Sequence, residues 1–158
     1  MSQFLVLEQD RRQFEIVKQC LQDNGHKGWQ LTTAADALQF LSDYNIDVIL
    51  SSANLQDGNA FDLLKQLNEN ERLKNIPFVF YCTDKEEAER YATAQIQEQA
   101  KTLGASKFVV LDQFDSKAFW EQIGEMIPQG AVKNDSLGGE VKTYSIAQLS
   151  SLRDNMAS

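Results

Sequence analysis

Five short apolar runs alternate along the chain with stretches of helical periodicity, and that alternation constrains the fold more than any single motif. The runs lie at residues 4–7, 29–32, 48–50, 76–81 and 107–111. Between them apolar residues recur at helical spacing: Phe14, Val17 and Leu21, then Ala34, Ala37, Leu38 and Leu41, then Phe61, Leu63, Leu64 and Leu67. The pattern predicts helices over 12–23, behind Thr33, behind Ala60, over 85–103, and behind Asp115 or Ser116, the last carrying Phe119, Trp120, Ile123 and Ile127. Asn24-Gly25 and Gly104 are natural helix stops. Thr33 with Asp36 has the spacing of a capping box, and Pro77 stands only at the entrance of its strand, where a missing N–H is tolerated. Strands that are apolar without alternation are covered on both faces, which implies a parallel sheet with helices on either side. The fold class is therefore α/β, a doubly wound five-stranded parallel sheet of order 2-1-3-4-5 followed by a C-terminal tail. Any site is expected at the carboxyl ends of strands one, three and four.

A chain of 158 residues is one domain of ordinary size plus a tail. The boundary falls at Pro128, with residues 1–127 as the domain. Residues 128–158 combine a Gly-rich linker with a short amphipathic stretch, in which Ile146, Leu149 and Leu152 line one face behind Ser145. The tail holds equal numbers of acids and bases, so the net charge of −8 belongs to the domain. That charge argues against a nucleic-acid surface, which needs a basic stripe. No apolar run approaches the ~20 residues of a membrane span. The opening MSQFLVLEQDRR has no basic region ahead of its apolar run, so it is a first strand rather than a signal peptide. Cys20 and Cys82 share no short motif and are expected as reduced core thiols of a cytoplasmic protein.

Residues 47–64, DVILSSANLQDGNAFDLL, closely resemble the centre of a response-regulator receiver domain of the CheY-like, flavodoxin-like class. That family has an apolar strand, a phosphoacceptor Asp, and a loop of the form x-x-L-P-D-G-x-G. Here Ala53-Asn54-Leu55-Gln56-Asp57-Gly58-Asn59-Ala60 matches the loop without a gap, but Ser52 stands at the acceptor position. The resemblance covers residues 3–127 and includes LGASKFVVLD, similar to the family's L-G-A-x-x-F-x-x-K-P. Carried across residue by residue, it puts Glu8 and Gln9, with Asp10 next, where the family holds Mg²⁺ with two acids. It puts Cys82, followed by Thr83, at the hydroxyl position ending strand four, and Leu111-Asp112 at the Lys-Pro pair. Phe108 takes the place of the aromatic that switches rotamer, the one position kept in type.

The chemistry decides what these departures imply. Mg²⁺ wants hard oxygen ligands in octahedral geometry. With Gln9 and Ser52 in place of carboxylates, Mg²⁺ is not expected, and Glu8 and Asp10 are the metal-ligand candidates that remain. The alternative for those two acids is solvation or pairing with Arg11 or Arg12. The family's Lys stabilises the transferred phosphoryl oxygens; Leu111 has no charge to offer, and Asp112 repels an anion. Phosphoserine is a stable ester where an aspartyl phosphate is labile. Ser52 also lacks a neighbouring general base, because the one histidine, His26, precedes strand two. Asp57 is a turn residue in an Asp-Gly pair before it is a displaced acceptor. Cys82 is a buried strand-end thiol before it is a redox sensor.

The resemblance thus implies a degenerate pseudo-receiver. It would be a non-enzymatic signalling module of a two-component or phosphorelay system, acting by phosphorylation-independent protein contact. The alternatives are a divergent receiver phosphorylated on another carboxylate, and a small-ligand module using the vacated pocket. Between Cys82 and Gly104 the chain is about six residues longer than the family's usual spacing, worth ~9 Å of extra helix. The partner surface, with a homodimer among its possible uses, is expected on the face made by helix four, strand five and helix five.

Overall fold

The computed structural model of the protein describes residues 2–127. Strand β1 (Gln3–Leu7) leads into α1 (Arg11–Asp23), then β2 (Lys27–Leu31), α2 (Ala34–Asp43) and β3 (Val48–Ser51). A two-residue hairpin, β4 (Asn54–Leu55) and β5 (Gly58–Asn59), precedes α3 (Ala60–Asn68). The chain then forms β6 (Phe78–Cys82), α4 (Lys85–Tyr91), α5 (Ala94–Thr102), β7 (Lys107–Val110), α6 (Ser116–Ile123) and a 3₁₀ turn at Gly124–Met126. The five longer strands form one parallel sheet of order β2-β1-β3-β6-β7. In chain order of those five strands this is the 2-1-3-4-5 arrangement expected from the sequence.

Alternation along each strand divides the core in two. Phe4 and Val6, with Val48, Leu50, Val79 and Tyr81, face α1 and α6; they meet Phe14, Val17, Leu21, Phe119 and Ile123. Leu5, Leu7, Ile49, Phe78 and Phe80 face α2, α3 and α5, and meet Phe40, Leu41, Leu63, Leu64 and Ala100. Burying each large aliphatic or aromatic side chain contributes roughly 1.5–3 kcal/mol, and every residue of β1 from Phe4 to Leu7 is fully buried. The interior strands are therefore apolar throughout, and polar side chains are displaced to the strand ends.

The region between β6 and β7 differs from the expected continuous helix over 85–103. It is two helices, because Ala92 ends α4 and the Thr93 hydroxyl accepts from Ile96 N–H to start α5. A threonine in extended conformation followed by free N–H groups is a helix start, and here it divides one run of good helix formers. The surplus residues form a separate short helix with no buried residue rather than a longer rod. Smaller differences lie at the ends. Ile127 falls beyond α6 and its 3₁₀ turn, and Phe40 joins the buried face of α2. The amphipathic stretch at 145–152 lies outside the described residues.

Asp10 opens α1: its Oδ1 accepts from Arg12 N–H at 2.8 Å and Gln13 N–H at 3.1 Å. Asp10→Ala is expected to cost about 1 kcal/mol in chemical denaturation, whereas Asp10→Asn, which caps equally well, leaves the midpoint nearly unchanged. Equal losses from both variants would mean that the charge, not the cap, is what the fold uses.

Candidate functional site at the carboxyl edge of the sheet

Parallel register brings the ends of β1, β3 and β6 to one edge. Leu7 pairs with Ser51, Ser51 pairs with Phe80, and Ser52 N–H extends the ladder to Leu7 carbonyl at 3.0 Å. Continuing that register, Glu8, Ser52 and Tyr81 lie at one level, and Cys82 follows one residue further along β6. β7 brings Leu111 to the same edge through a 2.8 Å bond from its N–H to the Cys82 carbonyl. Gln9 is exposed, and Leu111 packs half-buried against the α1/α6 core.

Glu8 is neither solvated nor paired with an arginine. It is 5% exposed, and both carboxyl oxygens are engaged within the domain. Tyr81 hydroxyl donates to Oε1 at 2.8 Å, and Asp10 N–H donates to Oε2 at 3.1 Å. Burial pushes the Glu8 carboxyl above its ordinary value, outweighing the opposing pull of the Tyr81 bond. Tyr81 is itself fully buried, and desolvation, with Glu8 beside it, holds the phenol protonated. Sequence reasoning missed this partner. The signal was a tyrosine inside the otherwise apolar run at 76–81: a buried phenol usually finds an acceptor.

The remaining site positions are similarly occupied. Ser52 is 2% exposed, and its hydroxyl donates to Asn54 carbonyl at 2.8 Å, holding the entry to the β4–β5 hairpin. Thr83 is buried and donates to Gln13 Oε1 at 2.9 Å, tying β6 to α1. The Cys82 thiol is pushed up to about 12, by burial first and then by Glu87 and Asp84. It stays protonated and unreactive near neutrality. Asp57 accepts from Ala34 and Ala35 N–H at 2.8 and 3.2 Å, so the exposed Asp-Gly turn serves as a second cap on α2. Those backbone bonds, Ala34 foremost, lower its carboxyl below the ordinary range. Phe108 is half-buried and stacks on Phe80 at 5.5 Å, and Phe80 stacks on Phe61 at 4.6 Å, forming a three-ring column. His26 is more than a loop residue: its Nδ1 accepts from Ser2 N–H at 2.9 Å, and its ring stacks on Trp120 at 5.0 Å.

A second carboxyl was not anticipated. Glu87, in the first turn of α4, is half-buried, and its carboxyl is pushed up to about 7 by desolvation, then by the negative charges of Asp84 and Glu8. Asp84 caps α4 through Glu87 N–H at 2.7 Å. The Asp-x-x-Glu spacing of Asp84 and Glu87 was legible as a capping box. The edge therefore carries acids without a basic partner: among the described residues, the ion pairs formed by side chains, such as Lys107–Glu125 and Arg90–Glu86, lie elsewhere.

The donors do not fit Mg²⁺. Glu8 has both oxygens committed, Asp10 caps α1, and the neighbouring Ser52 hydroxyl is used on a carbonyl. Among the described residues no group of three or more acids, histidines or cysteines is placed to hold a metal ion.

No protein-family model matches the chain, and no curated protein matches it in sequence. Its fold does match solved structures. The chemotaxis response regulator CheY4 of Vibrio cholerae superposes with a TM-score of 0.69 at 18% identity, over 80% of this chain and 99% of that one. The non-phosphorylated HemR receiver domain of Leptospira biflexa gives 0.65 at 23%, covering 80% and 94%. An orphan response regulator of H. pylori gives 0.64 at 16%, covering 80% and 97%. The domain thus has the fold of response-regulator receivers. Among the described residues no helix is long and apolar enough to cross a membrane.

Two outcomes test this electrostatic picture. Tyr81→Phe removes the partner of a buried carboxyl and is expected to cost about 1–3 kcal/mol in denaturant unfolding; a loss near zero would mean Oε1 is hydrated. For Glu87, both states are protonated below the ordinary value of 4.5, so no penalty exists there. As pH rises, the unfolded chain ionises first, and native stability falls until the folded carboxyl ionises at about 7. Glu8 acts with the same sign. Glu87→Gln should therefore gain stability relative to the parent chain as pH is raised from 5 to 8, read from denaturation midpoints. A pH-independent difference would count against it.

Proposed function

We propose that the domain is a receiver-like signal-transduction module that acts by protein contact, without phosphoryl transfer and without catalysis of its own. Its partners would be proteins of a two-component or phosphorelay pathway in the cytoplasm. The carrying observation is the burial of Glu8 between Tyr81 and the Asp10 N–H, next to a serine where receivers carry their acceptor. A site in that state has no free carboxylate to accept a phosphoryl group, no metal ligand set and no lysine to neutralise the developing charge. The fold supports the signalling half of this reading, since its solved neighbours include a chemotaxis response regulator and a receiver domain.

The alternatives have less support. Phosphorylation on Asp10 or Asp57 would break a helix cap in each case. A ligand in the vacated pocket would have to displace Glu8, Ser52, Cys82 and Thr83, all of which are buried. The contact face we assign comprises α4, α5, β7 and α6. Self-association into a homodimer is one use of it, and nucleic acid is not a partner.

Amide NMR with Mg²⁺ and beryllofluoride, a mimic of the acyl phosphate, tests the reading. No saturable shift is expected at Glu8, Ser52, Cys82 or Phe108. Saturable shifts spreading from those residues to Phe108 would show a working phosphoryl switch and overturn it.

A further inference from the structure

The break between α4 and α5 opens a cleft toward α3. Tyr91 is the last residue of α4, and Ile96 lies in the first turn of α5; they stand on either side of Ala92-Thr93, and both line the cleft. Phe61 and Asp62 of α3 line it as well, with Asn54 of the β4–β5 hairpin and Gln99 of α5. Its volume is about 330 Å³, at the small end of the range for ligand sites. That suits one side chain and its neighbour rather than a large cofactor.

The lining sorts the ligands it can take. Asp62 is the one charged side chain among the described residues that line the cleft. Its N–H is used, donating to Asn59 Oδ1 at 3.0 Å in the cap of α3. Its carboxylate is exposed, and among the described residues no hydrogen bond or ion pair engages it. An anion is repelled there, and a purely apolar ligand covers the carboxylate without pairing it. The half-buried rings of Phe61 and Tyr91 favour a cation on their faces. Tyr91 shows the preference within the chain, since the Arg90 guanidinium lies 6.0 Å from its ring centre. Arg90 is itself answered by Glu86 at 3.5 Å, which leaves the Asp62 charge unmatched. The formal net charge of −8 draws a basic partner from a distance.

We propose that this cleft takes an arginine side chain presented by a protein partner, with an aliphatic neighbour of that arginine against Ile96. A planar guanidinium suits the lining better than an ammonium, because it stacks on aromatic rings while its fork pairs with a carboxylate. Here the carboxylate is that of Asp62, and the side-chain carbonyls of Asn54 and Gln99 accept the remaining donors. Free arginine fits less well, because it brings a carboxylate of its own close to Asp62. Neither Glu8 nor Ser52 lines the cleft, so the assignment stands whether or not the phosphoryl site is silent.

The test is an amide NMR titration of the full ¹⁵N-labelled chain with acetyl-Leu-Arg-amide, and in parallel with its citrulline counterpart, which has nearly the same shape and no charge. Saturable shifts are expected at Asn54, Asp62, Ile96 and Gln99 with the arginine peptide, and roughly tenfold weaker binding with citrulline. Asp62→Asn should bring the arginine peptide down to the citrulline level. Tyr91→Ala alters a helix that buries no residue, so the fold is not at stake; it should weaken the arginine peptide, and Tyr91→Phe should restore it. No saturable shift at those amides, equal affinity for the two peptides, free arginine binding as tightly as the peptide, or indifference to both Asp62→Asn and Tyr91→Ala would each overturn the assignment.

Discussion

A parallel sheet covered on both faces leaves polar chemistry only at the strand ends, and everything distinctive about this domain follows from how one such end is filled. Leu5, Leu7, Ile49 and Phe80 serve one helical layer, while Phe4, Val6, Leu50 and Tyr81 serve the other. Register then brings Glu8, Ser52 and Tyr81 into a row whether or not they cooperate chemically. The fold supplies proximity. Burial and hydrogen bonding decide what that proximity does.

Here they make a structural edge. A buried carboxyl is tolerated when its lone pairs are used, and Tyr81 and the Asp10 N–H use those of Glu8. Glu87 raises the local acidity further, and the row contains no cation to offset it. An aspartate at position 52 would add a charge to that cluster, with leucine rather than lysine at 111. A serine avoids the repulsion and, by donating to Asn54 carbonyl, fixes the hairpin that presents Asp57 to the start of α2. Two departures from the receiver pattern are thus mutually consistent: without the lysine, a neutral residue at 52 is favoured over a carboxylate on electrostatic grounds.

Strand order and the two helical faces were legible in the sequence because they rest on period and on apolar runs, which are local and redundant. Phe14, Val17 and Leu21 specify the buried stripe of α1 without reference to anything else. The fate of Glu8 was not legible. It depends on Tyr81, seventy-three residues away, and on the depth to which strand end and phenol are buried together. The break at Ala92-Thr93 was missed for a different reason. Residues 85–103 are strong helix formers, and propensity summed over such a run outweighs a single threonine. The cap that divides it is one hydrogen bond from Ile96 N–H. Asp57 shows a third kind of limit, since its Asp-Gly turn was clear but its target on α2 was tertiary.

The two helical layers are unequal. On one side α1 and α6 press four aromatic or aliphatic side chains and more into the sheet, including Phe14, Leu21, Phe119 and Ile123. On the other side α2 and α3 are well seated, but α4 and α5 have a single buried residue between them. Local opening free energy follows buried apolar contact, so α4 and α5 are the helices that move at least cost. They carry Glu87, whose charge is poised near neutrality, and they border the three-ring column of Phe61, Phe80 and Phe108. In a phosphorylated receiver, chemistry at the strand ends drives change on this face. Here Tyr81 holds Glu8 at those strand ends, and the same face carries the least buried helices of the domain.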